Sequence, residues 1–252
     1  MEYFVAKHSV VRTIWGKADT VLFIFAGAAA EFALNKAVDW LYFTGRLPAD
    51  PLGRLFSTVE YARQIVFAPQ AGAERAIDTI AAIHGAVEAK RGAAIPAWAY
   101  RDVLFMLIDY SIRSFEALER PMTTHEKEEV FEVFNRVGQR MSIPDLPTSY
   151  TGWLVAREQH LVQDLVNSHF TADLFKQYKR HLGPLRYWLL LQGQSLVVPE
   201  RVRDLLKLGS WSWLKPVVPI YRRTQQFSLS RWVKAALLPP AYKAQIQALD
   251  SP

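Results

Sequence analysis

The chain has 252 residues, half of them apolar and 13% aromatic, with a formal net charge of +6. That composition excludes a disordered or low-complexity chain and is enough to bury a large core. The absence of cysteine excludes disulfides, thiolate metal sites, iron–sulfur clusters and thiol catalysis.

Residues 1–20, MEYFVAKHSVVRTIWGKADT, are interspersed with charge and do not have the profile of a secretory signal. The most apolar run, VLFIFAGAAA at 21–30, ends at Glu31 and is too short for a bilayer, which needs ~20 residues. A cytoplasmic protein is expected, possible contact with a membrane being peripheral. One apolar helical segment is expected over about 20–43, closed by GRLPADP at 45–51, and a second helix over about 52–67. On that helix Arg54, Thr58 and Tyr61 share a face.

A third helix spans about 72–90. Ile77, Ile80, His84 and Val87 fall on one face at spacings of three and four, so a histidine interrupts an apolar stripe. A core histidine satisfied by one hydrogen bond is the plain explanation. An axial haem ligand is the alternative, since haem needs one imidazole on a rigid helix, apolar walls and cations for its propionates. Glu88, one turn on, offers a His–carboxylate metal pair instead. RGAAIPAW at 91–98 punctuates, and about 98–119 forms a long helix that is apolar nearly all round.

RPMTTHEKEEV at 120–130 starts the next helix, with Thr123 as N-cap and Glu126 closing a capping box. It ends near Gly138, and IPDLPTSY at 143–150 is a loop. Helical segments follow at about 149–168, 171–181, 184–194 and 199–208. Prolines 216, 219, 239 and 240 break what remains. No stretch alternates as a strand would and no repeat is present, so a single all-α domain over 1–252 is expected.

Residues 176–234 hold twelve Lys/Arg against two acids, whereas the rest is slightly acidic, at 18 against 22. Such a basic third suits an anionic surface or cofactor carboxylates. Trp211, Trp213 and Trp232, among Lys215, Arg222, Arg223 and Arg231, fit an interfacial patch, with C-terminal packing as the plain alternative. Arg186, ahead of the apolar run YWLLL, is a candidate for a propionate or, equally, a surface arginine whose stem lies along apolar neighbours. No nucleic-acid motif accompanies these residues, and nucleic acid is not an expected partner. Phosphate-loop, dinucleotide and nucleophile-elbow motifs are absent, as is the HExxH pair: Glu129 stands where its second histidine would be.

DPLGRLFSTVEYARQIVF (50–67), AGAERAIDTIAAIHGAVEAKRG (71–92) and the long helix closing on EALERPMTTHEKEEV resemble the MpaB/rubber-oxygenase catalytic family. That family includes bacterial latex-clearing proteins and a fungal oxygenase that shortens a prenyl side chain. Its Arg-x-x-x-Thr falls on Arg54 and Thr58, its His with a Val one turn later on His84 and Val87. Its Arg-Pro-[LM]-[ST]-x-x-Glu falls on Arg120, Pro121, Met122, Thr123 and Glu126, and LPTSY at 146–150 matches its loop. The similarity covers about 20–210, leaving about 210–252 as a basic, aromatic-rich extension.

The resemblance implies an all-α fold holding haem b, with His84 as the iron ligand and Arg54 and Thr58 near the haem. It implies O2 activation and oxidative cleavage of a C=C bond in an isoprenoid- or lipid-like substrate. A helical protein that binds haem or lipid without catalysis is the alternative. The chain departs from the family in two places: DVLFM at 102–106 replaces Trp-Val-His, and only Glu31 and Asp39 offer a carboxylate base before Arg54.

Overall fold

The computed structural model describes residues 2–45, 49–209 and 211–224, apart from the side chains of residues 41, 51, 52, 54–56 and 224. The described residues are all-α, with two isolated bridges, Tyr3–Pro69 and Asn35–Leu165, and no strand. Their helices are α1 (Val10–Trp15), α2 (Ala18–Phe32), α3 (Val38–Phe43), α4 (Pro51–Phe67), α5 (Gln70–Arg91) and α6 (Ala97–Leu118). After these come α7 (Thr124–Arg140), α8 (Tyr150–Gln163), α9 (His169–Val197), α10 (Glu200–Leu206) and α11 (Val217–Thr224). None is long and apolar enough to cross a membrane.

Local chemistry sets most boundaries. Asp50 Oδ1 accepts from the Gly53 amide at 2.8 Å, with Pro51 in the first turn, and so starts α4. Thr123 and Glu126 form the expected capping box: the Glu126 amide donates to Thr123 Oγ1 at 3.2 Å, and the Thr123 amide to Glu126 Oε2 at 2.9 Å. Arg120 adds a fork onto the same carboxylate at 2.9 and 2.7 Å, so Arg-Pro-Met-Thr-x-x-Glu builds the start of α7. Gly92, at φ 69°, closes α5 in the left-handed conformation.

One boundary differs from the expectation. The apolar segment of 20–43 is two helices, because Asn35 turns the chain between them. Its Oδ1 accepts from the Ala37 amide at 2.8 Å and its Nδ2 donates to Asp102 Oδ2 at 2.9 Å. The expected segments at 171–181 and 184–194 are the two pieces of α9, parted at Gly183, whose backbone (φ 74°, ψ 170°) is not helical, ahead of Pro184. The unforeseen α1 caps on Ser9, whose Oγ accepts from the Val11 amide.

Helix α2 is the axis of the core. It packs along α6 and α9, while α4 lies against α5 and α9. Gly27 makes the α2–α6 approach possible: a Cβ there would stand 2.2 Å from Tyr110 Cδ1. Trp15 is fully buried and its indole N–H donates to Ser111 Oγ at 3.2 Å. Burial of each such side chain contributes ~1.5–3 kcal/mol, enough to fix how the helices meet.

Candidate functional site

His84 lies two-thirds of the way along α5, on the face turned to the start of α6 and the turn after α7. Its ring meets Tyr100 edge-on, with centroids 5.2 Å apart. Together they border a cleft of about 300 Å³ whose apolar walls are Ala81, Ile95, Ala97, Met141, Ile143 and Pro144. That volume is at the lower end for small-ligand pockets, ~300–1,000 Å³. Glu88 closes the cleft: its Oε1 accepts from the Ile95 amide at 2.8 Å and from the Tyr100 hydroxyl at 3.1 Å. Burial first, and then the Glu88 carboxylate, push the Tyr100 phenol well up.

The stripe that includes His84 is not uniformly buried. Ile77 is fully inside, whereas Ile80, His84 and Val87 are half-buried and the adjoining Ile83 is 43% exposed. The second half of α5 is thus a rim rather than a core helix.

The other candidates sit on neighbouring helices. Arg54 is on α4, but its side chain lies outside the described residues. Thr58, half-buried on α4, and Arg186, half-buried beyond the α9 kink, are not among the residues lining the His84 cleft. Tyr61 borders a second cleft, of about 520 Å³, between α4 and α5, with Glu60, Gln64, Arg75 and Thr79. Asp39 pairs with Arg91 at 2.7 Å, and the Arg91 guanidinium stacks 3.8 Å above the Trp40 ring. Trp211 and Trp213 are exposed, Lys215 standing 5.5 Å above the Trp211 ring. Trp232 and Arg231 lie outside the described residues.

A cluster not foreseen from the sequence occupies the core between α2, α6 and α8. Glu31 is fully buried and receives Arg157 Nη1 at 2.5 Å, Arg157 Nη2 at 2.6 Å and the Tyr110 hydroxyl at 2.8 Å. Arg157 also donates to Asp109 Oδ2, from Nε at 3.0 Å and Nη2 at 2.8 Å, and Arg113 takes Asp109 Oδ1. His160 bridges the remaining carboxylates, with Nε2 2.8 Å from Glu31 Oε1 and Nδ1 2.7 Å from Asp102 Oδ1. The Nδ1 contact is an ion pair without the alignment of a hydrogen bond.

The electrostatics follow from this arrangement. Burial would raise Glu31, but the Arg157 charge and hydrogen bonds, with His160, outweigh it and hold the carboxyl at about 2. Burial would lower His160, but Asp102 and Glu31 outweigh it and hold the imidazole at about 9. Glu31 is therefore a structural anion locked to its partners, not a base facing a cleft. Asp102 occupies the DVLFM segment, so that departure from the family pattern supplies one carboxylate of the cluster.

The sequence did carry a signal for this cluster: three acids on apolar helix faces, Glu31, Asp102 and Asp109, and the pair Arg157 and His160 one turn apart on α8. Asp102, His160 and the less buried Asp164 bring ligand atoms within 4.8 Å of one another, a set that can hold a metal ion. Asp164 Oδ2 stands 3.6 Å from His160 Nδ1 and its side chain is 22% exposed.

Among curated proteins no match is found. Residues 12–248 match the family model described as the catalytic domain of the ER-bound oxygenase mpaB/B' and rubber oxygenase. The match spans most of the chain, from α1 through the described helices, and includes both the His84 cleft and the buried ion cluster. The chain belongs to the MpaB/rubber-oxygenase catalytic-domain family.

Proposed function

We propose that this chain, acting as one domain, is a haem b-dependent oxygenase for a hydrophobic, isoprenoid- or lipid-like substrate, with His84 as the iron ligand. Membership of an oxygenase family supports oxidation chemistry with O2 and an organic substrate as reactants. The observation that carries the haem reading is the His84 imidazole at a cleft with apolar walls.

The residues present fit the group in kind. One imidazole, six apolar side chains and a bare glycine border the space together with Tyr100, Glu88 and Ser142, and a Cβ on Gly85 would meet nothing within 4 Å. Haem, if held by His84, would supply a redox-active iron for chemistry with O2.

The chain's own groups do the rest. The edge-on Tyr100 ring limits how the His84 imidazole can turn. Glu88, holding the Ile95 amide and the Tyr100 hydroxyl together, fixes the cleft wall at the start of α6. The apolar part of the lining, Ala81, Ile95, Ala97, Met141, Ile143 and Pro144, suits a hydrocarbon substrate. Arg54 and Thr58 on α4, which packs against α5, and Arg186 on α9, which packs on α4, are proposed to contribute polar and cationic contacts to the bound group, although neither Thr58 nor Arg186 lines the cleft as it stands. Cleavage of a C=C bond by one O2 places one oxygen atom on each new carbonyl, so no external reductant is consumed.

O2 uptake by haem-loaded protein with a long-chain polyprenyl substrate, analysed for carbonyl products, tests this reading. Uptake abolished in His84→Ala supports it. Haem bound without O2 uptake by any unsaturated substrate would leave a non-catalytic haem- or lipid-binding protein. The Asp102–His160–Asp164 set favours a second reading, in which iron sits there. Iron kept by His84→Ala but lost by Asp164→Asn would select it.

A further inference from the structure

Six large apolar side chains stand exposed within residues 185–220: Leu185, Trp188, Trp211, Trp213, Val217 and Ile220, at 43–68% of their full exposure. They include every exposed tryptophan among the described residues. Their juxtaposition is built in. Ser212 Oγ donates to the Gln192 carbonyl at 2.8 Å, and the Trp213 amide to Gln192 Oε1 at 2.8 Å. These bonds pin the 211–214 turn to α9, one helical turn beyond Trp188 and two beyond Leu185.

The Lys215 amide donates to the Ser212 carbonyl at 3.0 Å, and α11 follows directly. Arg222 Nη2 then anchors α11 to the end of α6 through the Glu116 and Ala117 carbonyls, both at 2.9 Å. The result is an apolar ridge running from the outer part of α9, across the clipped turn, to α11.

We propose that this ridge seats the protein on an anionic lipid surface. Exposed tryptophans in solvent are unfavourable, and the indole, apolar with one N–H donor, suits the boundary between headgroups and acyl chains. Charge complementarity selects lipid over a purely apolar partner: residues 184–224 hold seven Lys/Arg against two acids. Lys215 and Arg223 are exposed on the ridge itself. Each basic side chain near an anionic leaflet strengthens the contact, and each inserted indole adds its buried apolar area. Contact of this kind gives access to a membrane-dissolved substrate without a spanning helix. It uses no feature of the His84 cleft and stands or falls separately from the haem reading.

The test is flotation of the full chain with vesicles of phosphatidylcholine and with vesicles carrying about one third phosphatidylglycerol. Binding is expected to the anionic vesicles, to weaken as salt rises, and to fall about tenfold or more in Trp211→Ser/Trp213→Ser. Lys215→Glu/Arg223→Glu should lose the preference for the anionic vesicles. Circular dichroism checks that each variant is folded, and Trp188→Ser provides an independent variant on the other side of the clip. No binding by the parent, or equal binding by the tryptophan variants, overturns the proposal. So does a ridge covered by a second copy or by residues 225–252, seen as indoles shielded from a soluble quencher in the absence of vesicles.

Discussion

Arg157 grips Glu31 with both guanidinium ends, Nη1 to Oε1 at 2.5 Å and Nη2 to Oε2 at 2.6 Å, and so ties α8 to α2 through the core. Neither side chain reaches solvent to any useful extent. Such a pair is costly to form, because both ions lose their hydration, and far more costly to break on one side.

Arg157→Met should therefore unfold at lower urea than the parent, with a loss of about 3–5 kcal/mol. The variant leaves Glu31 buried with only Tyr110 and His160 as partners. A loss below about 1 kcal/mol in urea titration would show that the pair is solvated in solution.

The same cluster fixes a dependence of stability on pH. His160 is raised from 6.5 to about 9, so its contribution is complete below about pH 6.5 and lost as pH rises through about 9. Glu31 is lowered from 4.5 to about 2, so its contribution is complete above about pH 4.5 and lost as pH falls through about 2. Urea midpoints should peak between these limits and fall on the alkaline side, and His160→Gln should flatten the alkaline limb. A parent midpoint that holds steady between pH 6.5 and 9 would contradict the charged imidazole.

Gly27→Ala should cost about 1–3 kcal/mol, since a methyl group there collides with the Tyr110 ring at 2.2–2.3 Å. Thermal unfolding of Gly27→Ala beside Gly27→Ala/Tyr110→Leu measures it. Partial recovery in the double variant assigns the cost to that contact, and an unaffected single variant would mean that α2 and α6 sit further apart.

Glu88→Ala removes the acceptor shared by the Ile95 amide and the Tyr100 hydroxyl. Haem affinity is expected to fall by about tenfold, with about 1 kcal/mol lost from stability. Equilibrium haem titration gives the first and urea unfolding the second. Unchanged affinity would show that this wall does not contact the bound group.

Much of the fold was legible in the sequence because its punctuation is local. Thr123 and Glu126 start α7, and Gly183 with Pro184 kinks α9, by interactions that span a few residues. The break at Asn35 was not legible, because the side chain that turns the chain there is held by Asp102, 67 positions away. The ion cluster was hidden for the same reason. Asp102 and Asp109 look like interruptions in an apolar helix until α8 brings Arg157 and His160 against them. His84 was conspicuous as a polar residue in an apolar stripe. The half-exposed rim around it depends on how α5 meets α6 and the turn after α7, which periodicity along one helix does not encode.

The proposed haem chemistry requires iron on His84. The most direct measurement is the absorption spectrum of the full chain, produced with iron and haem precursor, beside His84→Ala made identically and shown by circular dichroism to be folded. A Soret band in the parent that is lost or shifted in the variant is the predicted result. A parent that stays colourless after reconstitution, or a variant whose band matches the parent's, would contradict the claim and return His84 to the role of a half-buried rim histidine.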